Sequence, residues 1–177
     1  RAALALPGEP LWLQQEHGAR VADADADAVA GPADAAVTTR AGRVLAIQVA
    51  DCMPVLFASD DGRVLACAHA GWRGLAAGVL EATVRAMRVA PAAVHAWLGP
   101  AIGAGHFEVG AEVRAAFLAQ HPQAAMAFTA NARGRWQCDL ELLARQRLAA
   151  LGLQRVSGAG LCTYAQEAQC FSYRRNG

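Results

Sequence analysis

A chain of 177 residues, 55% of them hydrophobic and 18% charged, is long enough to bury one full core. Its 16 Lys+Arg and 15 Asp+Glu are interspersed and leave a net charge of +1, which excludes a basic footprint for nucleic acid or an anionic membrane surface. No apolar run approaches the roughly 18 residues that span a bilayer, and the opening RAALALPGEPLWLQ lacks the h-region and cleavage site of a secretory signal.

The five cysteines, at positions 52, 67, 138, 162 and 170, are odd in number and scattered. That pattern predicts reduced thiols in a cytoplasmic enzyme, most of them packed as small apolar groups. The sequence reads as a single domain over residues 1–177. Without an initiator Met, and ending at SYRRNG, it is compatible with a piece of a longer gene product.

In chain order, LQQEHGARV carries His17 after an apolar run and before Gly18, the expected end of a strand. Residues 22–36, ADADADAVAGPADAA, predict a surface loop with a solvated acidic face; they lack the central Gly and terminal Glu of an EF-hand. Three apolar runs, RVLAIQVA (43–50), PVLFAS (54–59) and RVLACAH (63–69), predict strands of a well-buried sheet. The turn SDDG joins the last two as a hairpin. Leu75, Val79, Leu80, Val84 and Met87 recur at helical spacing and predict a helix over 73–88. VHAWLGP (94–100) predicts another strand, and residues 109–120 and 139–152 predict amphipathic helices, the latter capped by Asp139 and stopped by Gly152. Strands mixed with helices, plus a hairpin, predict an α/β (α+β) fold with a mixed β-sheet.

The chemistry concentrates at strand ends. Strand alternation puts Leu65, Cys67 and His69 on one face, with His69 at the strand terminus before a tight glycine turn. From the local pattern, His69 is a packed core residue, half of a Cys67/His69 pair, or a metal ligand. Arg73 opens the following helix, where free N–H groups favour an anion, so it suits phosphate or carboxylate as well as a surface salt bridge. Cys52 lies in the bend ADCMP beside Asp51. A carboxylate neighbour makes a thiol a poor free nucleophile, whereas a metal deprotonates it, so ligation suits Cys52 better and Asp51 suits holding a His ligand. His17, Cys52 and His69 show no zinc-finger spacing, but ligands from separate strand ends suit a catalytic centre with an open position. His106, in the glycine-rich GPAIGAGHFEVG, is a candidate pocket residue; the loop matches neither a dinucleotide fingerprint nor a P-loop.

Taken in order, QxHG (15–18), ADxxxT (33–38), ADCxPVLF (50–57), HAGWRGLxxGVLExTV (69–84), LGPAIGxxxFEVGxEVRxxF (98–117), DLxxLARQRLxxLG (139–152), CTY (162–164) and FSYRR (171–175) resemble one family. It is the YfiH-type purine nucleoside phosphorylase family, earlier described as a laccase-domain or multicopper polyphenol oxidase family. The resemblance covers nearly the whole chain. It implies a mixed-sheet α/β sandwich with helices outside, and one zinc ion held by His17, Cys52 and His69 in a surface cleft. It implies phosphorolysis of adenosine, inosine, guanosine and methylthioadenosine, with adenosine deamination. Purine nucleosides and phosphate are then the partners, with no nucleic acid and no membrane. Under this reading Arg73 cradles phosphate, while Ser172, Tyr173 and Arg174 of the tail are offered to ribose, base or phosphate. Glu16 departs from the family, which usually has an apolar residue there. Three other functions remain in view: a copper polyphenol oxidase, a Cys/His hydrolase or amidase editing peptidoglycan precursors, and a binding module that uses zinc to fold. Five scattered histidines without HxH pairs speak against the oxidase.

Overall fold

A computed structural model describes residues 5–26, 31–158 and 160–177. Its centre is a six-stranded mixed sheet built from Val21–Asp23 (β2), Ala35–Thr38 (β3), Met53–Ser59 (β5), Leu65–Ala70 (β6), Val94–Leu98 (β7) and Arg155–Gly158 (β11). The strand order is β11-β7-β5-β6-β3-β2; β11 runs parallel to β7 and β2 parallel to β3, and the other neighbours are antiparallel. Two smaller sheets stand beside it: a parallel pair of Pro10–Leu11 (β1) with Val44–Leu45 (β4), and an antiparallel set of Glu108–Val109 (β8), Phe128–Ala130 (β9) and Trp136–Cys138 (β10).

Alternation along β5, β6 and β7 turns Val55, Phe57, Ala66, Ala68, Ala96 and Leu98 to one face, where they join the main core. The helices Val79–Met87 (α2), Ala111–Leu118 (α3) and Leu140–Ala150 (α4) supply Leu80, Val84, Phe117, Leu143 and Leu148 to that core. Asp139 caps α4 by accepting the Leu142 N–H at 2.9 Å. The opposite face is covered at one end by Leu13, Ala24 and Ala33, packed on Ala22, Ala36 and Cys67. The hairpin between β5 and β6 turns at Gly62, φ 68°, whose N–H reaches the Ser59 carbonyl at 2.9 Å.

Three expectations change. The helix over 73–88 is two helices, Trp72–Ala77 (α1) and α2, broken at Gly78. Gly78 takes the left-handed conformation, φ 87°, and its N–H closes α1 while its carbonyl opens α2. Apolar periodicity continues across the break, so it hides the change of axis. The strand expected over 43–50 shrinks to β4, because the Gln15 carboxamide takes the ladder's place. It donates to the Gln48 carbonyl at 2.8 Å and accepts the Gln48 N–H at 2.9 Å.

The third change concerns the acidic loop. Residues 22–36 begin and end in sheet strands, and residues 27–30 lie outside the described residues. Asp34 is 0% exposed, so it belongs to no solvated face. Asp25 accepts hydrogen bonds from Thr38 and Thr39, which outweigh its desolvation and pull its carboxyl down to about 2.

Candidate metal centre

The register explains why distant residues meet. In the β5–β6 pair Met53 stands opposite Ala70 and Pro54 opposite His69, so Cys52, just before β5, lies beside the end of β6. In the β3–β6 pair Ala35 stands opposite Ala68, and the His69 N–H reaches the Asp34 carbonyl at 2.7 Å. The Asp34 carboxylate then gathers the His17 loop. It accepts the backbone N–H groups of Gly18 at 2.7 Å, His17 at 2.9 Å and Glu16 at 3.1 Å. His17, Cys52 and His69 thus place one ligand atom each within 4.8 Å of one another.

Asp34 also holds His69. Its Oδ1 lies 2.7 Å from His69 Nδ1. With Nδ1–H donating to the carboxylate, the Nε2 lone pair is free for an ion, the arrangement that orients metal-ligating histidines. Burial pushes the Asp34 carboxyl up, but the bonds from His69, Gly18, Glu16 and His17 outweigh it, and the net shift is downward. The carboxylate is therefore ionised and buried beside the donors. Asp34 was hidden in the sequence behind the three alternating aspartates at 23, 25 and 27, although its motif, ADxxxT, leads directly into β3.

Asp51 is the corrected member of the expected site. Among the described residues it holds no histidine: its Oδ1 accepts the Thr163 hydroxyl at 2.6 Å and its Oδ2 the Arg174 N–H at 2.7 Å. The Asp51 carbonyl accepts the Ile102 N–H at 2.9 Å. Asp51 therefore ties the cysteine bend to the tail and to the 101–103 segment. His17 (φ 63°) and Asp51 (φ 84°) both occupy the left-handed region. Such backbone costs about 1–3 kcal/mol per non-glycine residue and clusters at functional sites. Here the Asp34 and Asp51 hydrogen bonds hold it in place.

The thiol is conditioned for a metal and against free nucleophilic attack. Burial, then the Asp51 and Asp34 carboxylates, push Cys52 up to about 11, with Arg73 opposing. His17 is shifted down by burial and by the His69 ring, partly offset by Asp34 and reinforced by Arg73. At neutral pH the free site thus holds a thiol and a neutral His17 imidazole. Loading a divalent ion near pH 7.5 should release about one proton, from Cys52. Calorimetry in buffers of different ionisation enthalpy checks this, and Cys52→Ser should abolish the release.

Cys67 is no competitor for the ion. It is 2% exposed, packs in the smaller core, and burial pushes its thiol up to about 12.

The donors open into a cavity of about 650 Å³. Val49, Trp72, Ile102, Phe107 and Tyr173 supply apolar and aromatic wall, and Arg73 and Arg174 supply cations. The Arg73 guanidinium stacks on Trp72 at 4.7 Å and makes no hydrogen bond or ion pair among the described residues. Arg174 lies over Phe107 at 5.6 Å, with long contacts to the Glu108 carbonyl at 3.3 and 3.4 Å.

Two other expected contacts lie elsewhere. His106 is outside the cavity lining and stacks on Tyr164, centroids 4.4 Å apart. Ser172 is 2% exposed; it caps the short helix Tyr173–Asn176 (α5), accepting the Arg175 N–H at 3.3 Å. The tail that carries Ser172 is anchored through Asp51 and through Arg175, which donates to the carbonyls of Thr163, Tyr164 and Cys170. Tyr173 and Trp72 face the cavity; their aromatic character inside FSYRR and HAGWRG was the available signal.

Fold and site define a mixed α/β protein with a His/Cys/His cluster that can hold a metal at the floor of an apolar, cationic cleft. The family model described as multi-copper polyphenol oxidoreductase laccase matches residues 1–177. A protein of Xylella fastidiosa named purine nucleoside phosphorylase is 49% identical over 181 residues, covering 98% of this chain and 70% of that protein. Purine nucleoside phosphorylase YfiH of Escherichia coli is 47% identical over 176 residues, covering 99% of this chain and 72% of its own length. Among solved structures, a Neisseria meningitidis protein superposes with a TM-score of 0.92 at 44% identity, covering 99% of this chain and 72% of that one. YlmD from Geobacillus stearothermophilus gives 0.89 at 29% identity, covering 98% and 71%. The chain belongs to the YfiH-type, laccase-domain family.

Proposed function

We propose that this chain is a zinc-dependent purine nucleoside phosphorylase that acts on adenosine, inosine, guanosine and methylthioadenosine and also deaminates adenosine. The observation that carries the reading is the unpaired Arg73 guanidinium in the same cavity as His17, Cys52 and His69. A cation with no ion pair or hydrogen bond among the described residues, beside an apolar and aromatic wall, suits a substrate pair of one anion and one flat base. The names carried by the relatives agree with that pair.

In phosphorolysis a phosphate oxygen attacks the anomeric carbon, the C–N bond breaks, and the base leaves with a proton as ribose 1-phosphate forms. Arg73 binds and orients the phosphate. Tyr173 and Phe107 flank the base, and Arg174 offers a second cation to phosphate or ribose. In deamination water adds at the purine carbon and ammonia leaves. When bound, a divalent metal supplies Lewis-acid activation. His17, Cys52 and His69 are its proposed ligands, oriented by Asp34. A cytoplasmic setting suits five cysteines that are all free.

A His₂Cys donor set is shared by zinc and by blue-copper centres, so the donors alone do not choose the metal. An oxidase with several coppers needs further histidine clusters, and among the described residues the three-donor group is the one found. A hydrolase acting at this cluster requires Cys52 itself as an activated nucleophile, which its upward shift opposes.

The test combines metal analysis of purified protein with chromatography of adenosine plus phosphate, before and after chelation. Stoichiometric zinc, and free base formed only with phosphate and metal, support the reading. Turnover that survives chelation and is lost in Cys52→Ser overturns it in favour of the hydrolase. His69→Ala should lose the metal. Arg73→Ala should keep it and raise the KM for phosphate about tenfold or more, the worth of a charge-assisted hydrogen bond.

A further inference from the structure

A second thiol–imidazole pair lies outside the metal cavity. Cys162 Sγ sits 3.5 Å from His106 Nδ1 and accepts the Gly103 N–H at 3.2 Å. The imidazole is fixed by stacking on Tyr164, with planes 18° apart, and by the turn that bonds the His106 N–H to the Gly103 carbonyl at 2.9 Å. Cys162 is half-buried and opens into a cleft of about 150 Å³ walled by Gly99, Gly103, Gly160 and Leu161. Asp139 and Glu141 also line that cleft, which favours a small neutral reagent over an anionic one. The other free cysteines lack this combination. Cys67 and Cys138 are buried, Cys52 belongs to the donor cluster, and the Cys170 sulfur has no hydrogen-bond partner among the described residues.

We propose that Cys162, with His106 as its base, is a peroxide-reactive thiol and the chain's oxidative modification site. The sulfur attacks one oxygen of hydrogen peroxide, the O–O bond breaks, and the thiol proton passes through His106 Nδ1 to the departing hydroxide. Sulfenic acid and water form; sulfur is oxidised by two electrons and peroxide is reduced. The Gly103 N–H steadies the charge that builds on sulfur. The site is back to back with the metal bend: Thr163, the next residue, bonds Asp51, and Ile102 lines the cavity. The sulfur packs closely on the Gly103 backbone: a Cβ added there would lie 3.3 Å from it.

The test treats metal-loaded protein with hydrogen peroxide and a cyclic 1,3-diketone trap for sulfenic acid, and follows each cysteine by peptide mass spectrometry. Cys162 should be trapped about tenfold faster or more than Cys170, its half-buried counterpart without a base. His106→Ala should bring Cys162 down to the Cys170 rate, with the fold checked by circular dichroism. Equal trapping of Cys162 and Cys170 in the unmodified chain overturns the proposal, and that comparison stands even if the variant fails to fold. An unchanged Cys162 rate in a folded His106→Ala variant overturns it too.

Discussion

Asp34→Ala is expected to release the metal and destabilise the fold together. The carboxylate is 0% exposed and accepts from three backbone N–H groups and from His69 Nδ1. Deleting it strands the donors, and breaking a buried charged network costs about 3–5 kcal/mol. His69 loses the group that fixes its ring, and the His17 loop, already at φ 63°, loses what holds it. Removing such a partner of a ligating histidine weakens metal binding about 10- to 100-fold. Chelator competition gives the affinity and denaturant unfolding gives the stability. Asp34→Asn keeps the volume and part of the acceptor capacity, so it should fold and show the affinity loss on its own. Wild-type affinity in a folded Asp34→Asn variant would remove Asp34 from the centre.

Gly71→Ala should damage the same centre by bulk alone. A Cβ built at Gly71 falls 2.6 Å from Cys52 Sγ and 3.4 Å from His17 Cδ2. The backbone there has φ −73°, ordinary for alanine, so the penalty is steric and not conformational. Overpacking of this kind costs about 1–3 kcal/mol when it is relieved by neighbours that shift. The neighbours here are two of the three donors, so relief means moving the ligands apart. Metal affinity should fall about 100-fold or more, beyond the loss in stability, since donor positions tolerate only a few tenths of an ångström. Gly105→Ala is the control, because nothing lies within 4 Å of its added Cβ. Equal affinity in the two variants would refute the close packing of Gly71 on the donors.

Much of the frame is legible in local pattern. Short apolar runs mark β5, β6 and β7, and Asp-Gly marks the hairpin, because each signal is written in neighbouring residues. The Gly78 break is less legible: the apolar spacing of Leu75, Val79 and Leu80 continues straight through a glycine that redirects the axis. The shortened strand at β4 is not legible at all. It follows from the Gln15 carboxamide bonding to Gln48, a contact across 33 positions.

For the site, the residues by themselves determine the chemical kinds of donor, two imidazoles and a thiol at strand ends, and the family motifs join His17, Cys52 and His69 into one set. They also place a guanidinium just after a glycine turn. Which carboxylate serves the histidine is decided only in three dimensions. Asp51 is next to Cys52 in sequence, yet at φ 84° its side chain turns toward Thr163 and α5. Asp34 is 35 positions from His69, yet the antiparallel pairing of β3 with β6 sets them side by side. Sequence proximity fixes composition around a residue, whereas side-chain direction depends on backbone dihedrals and on strand register. Those depend on burying the sheet's two faces, a property of the whole chain.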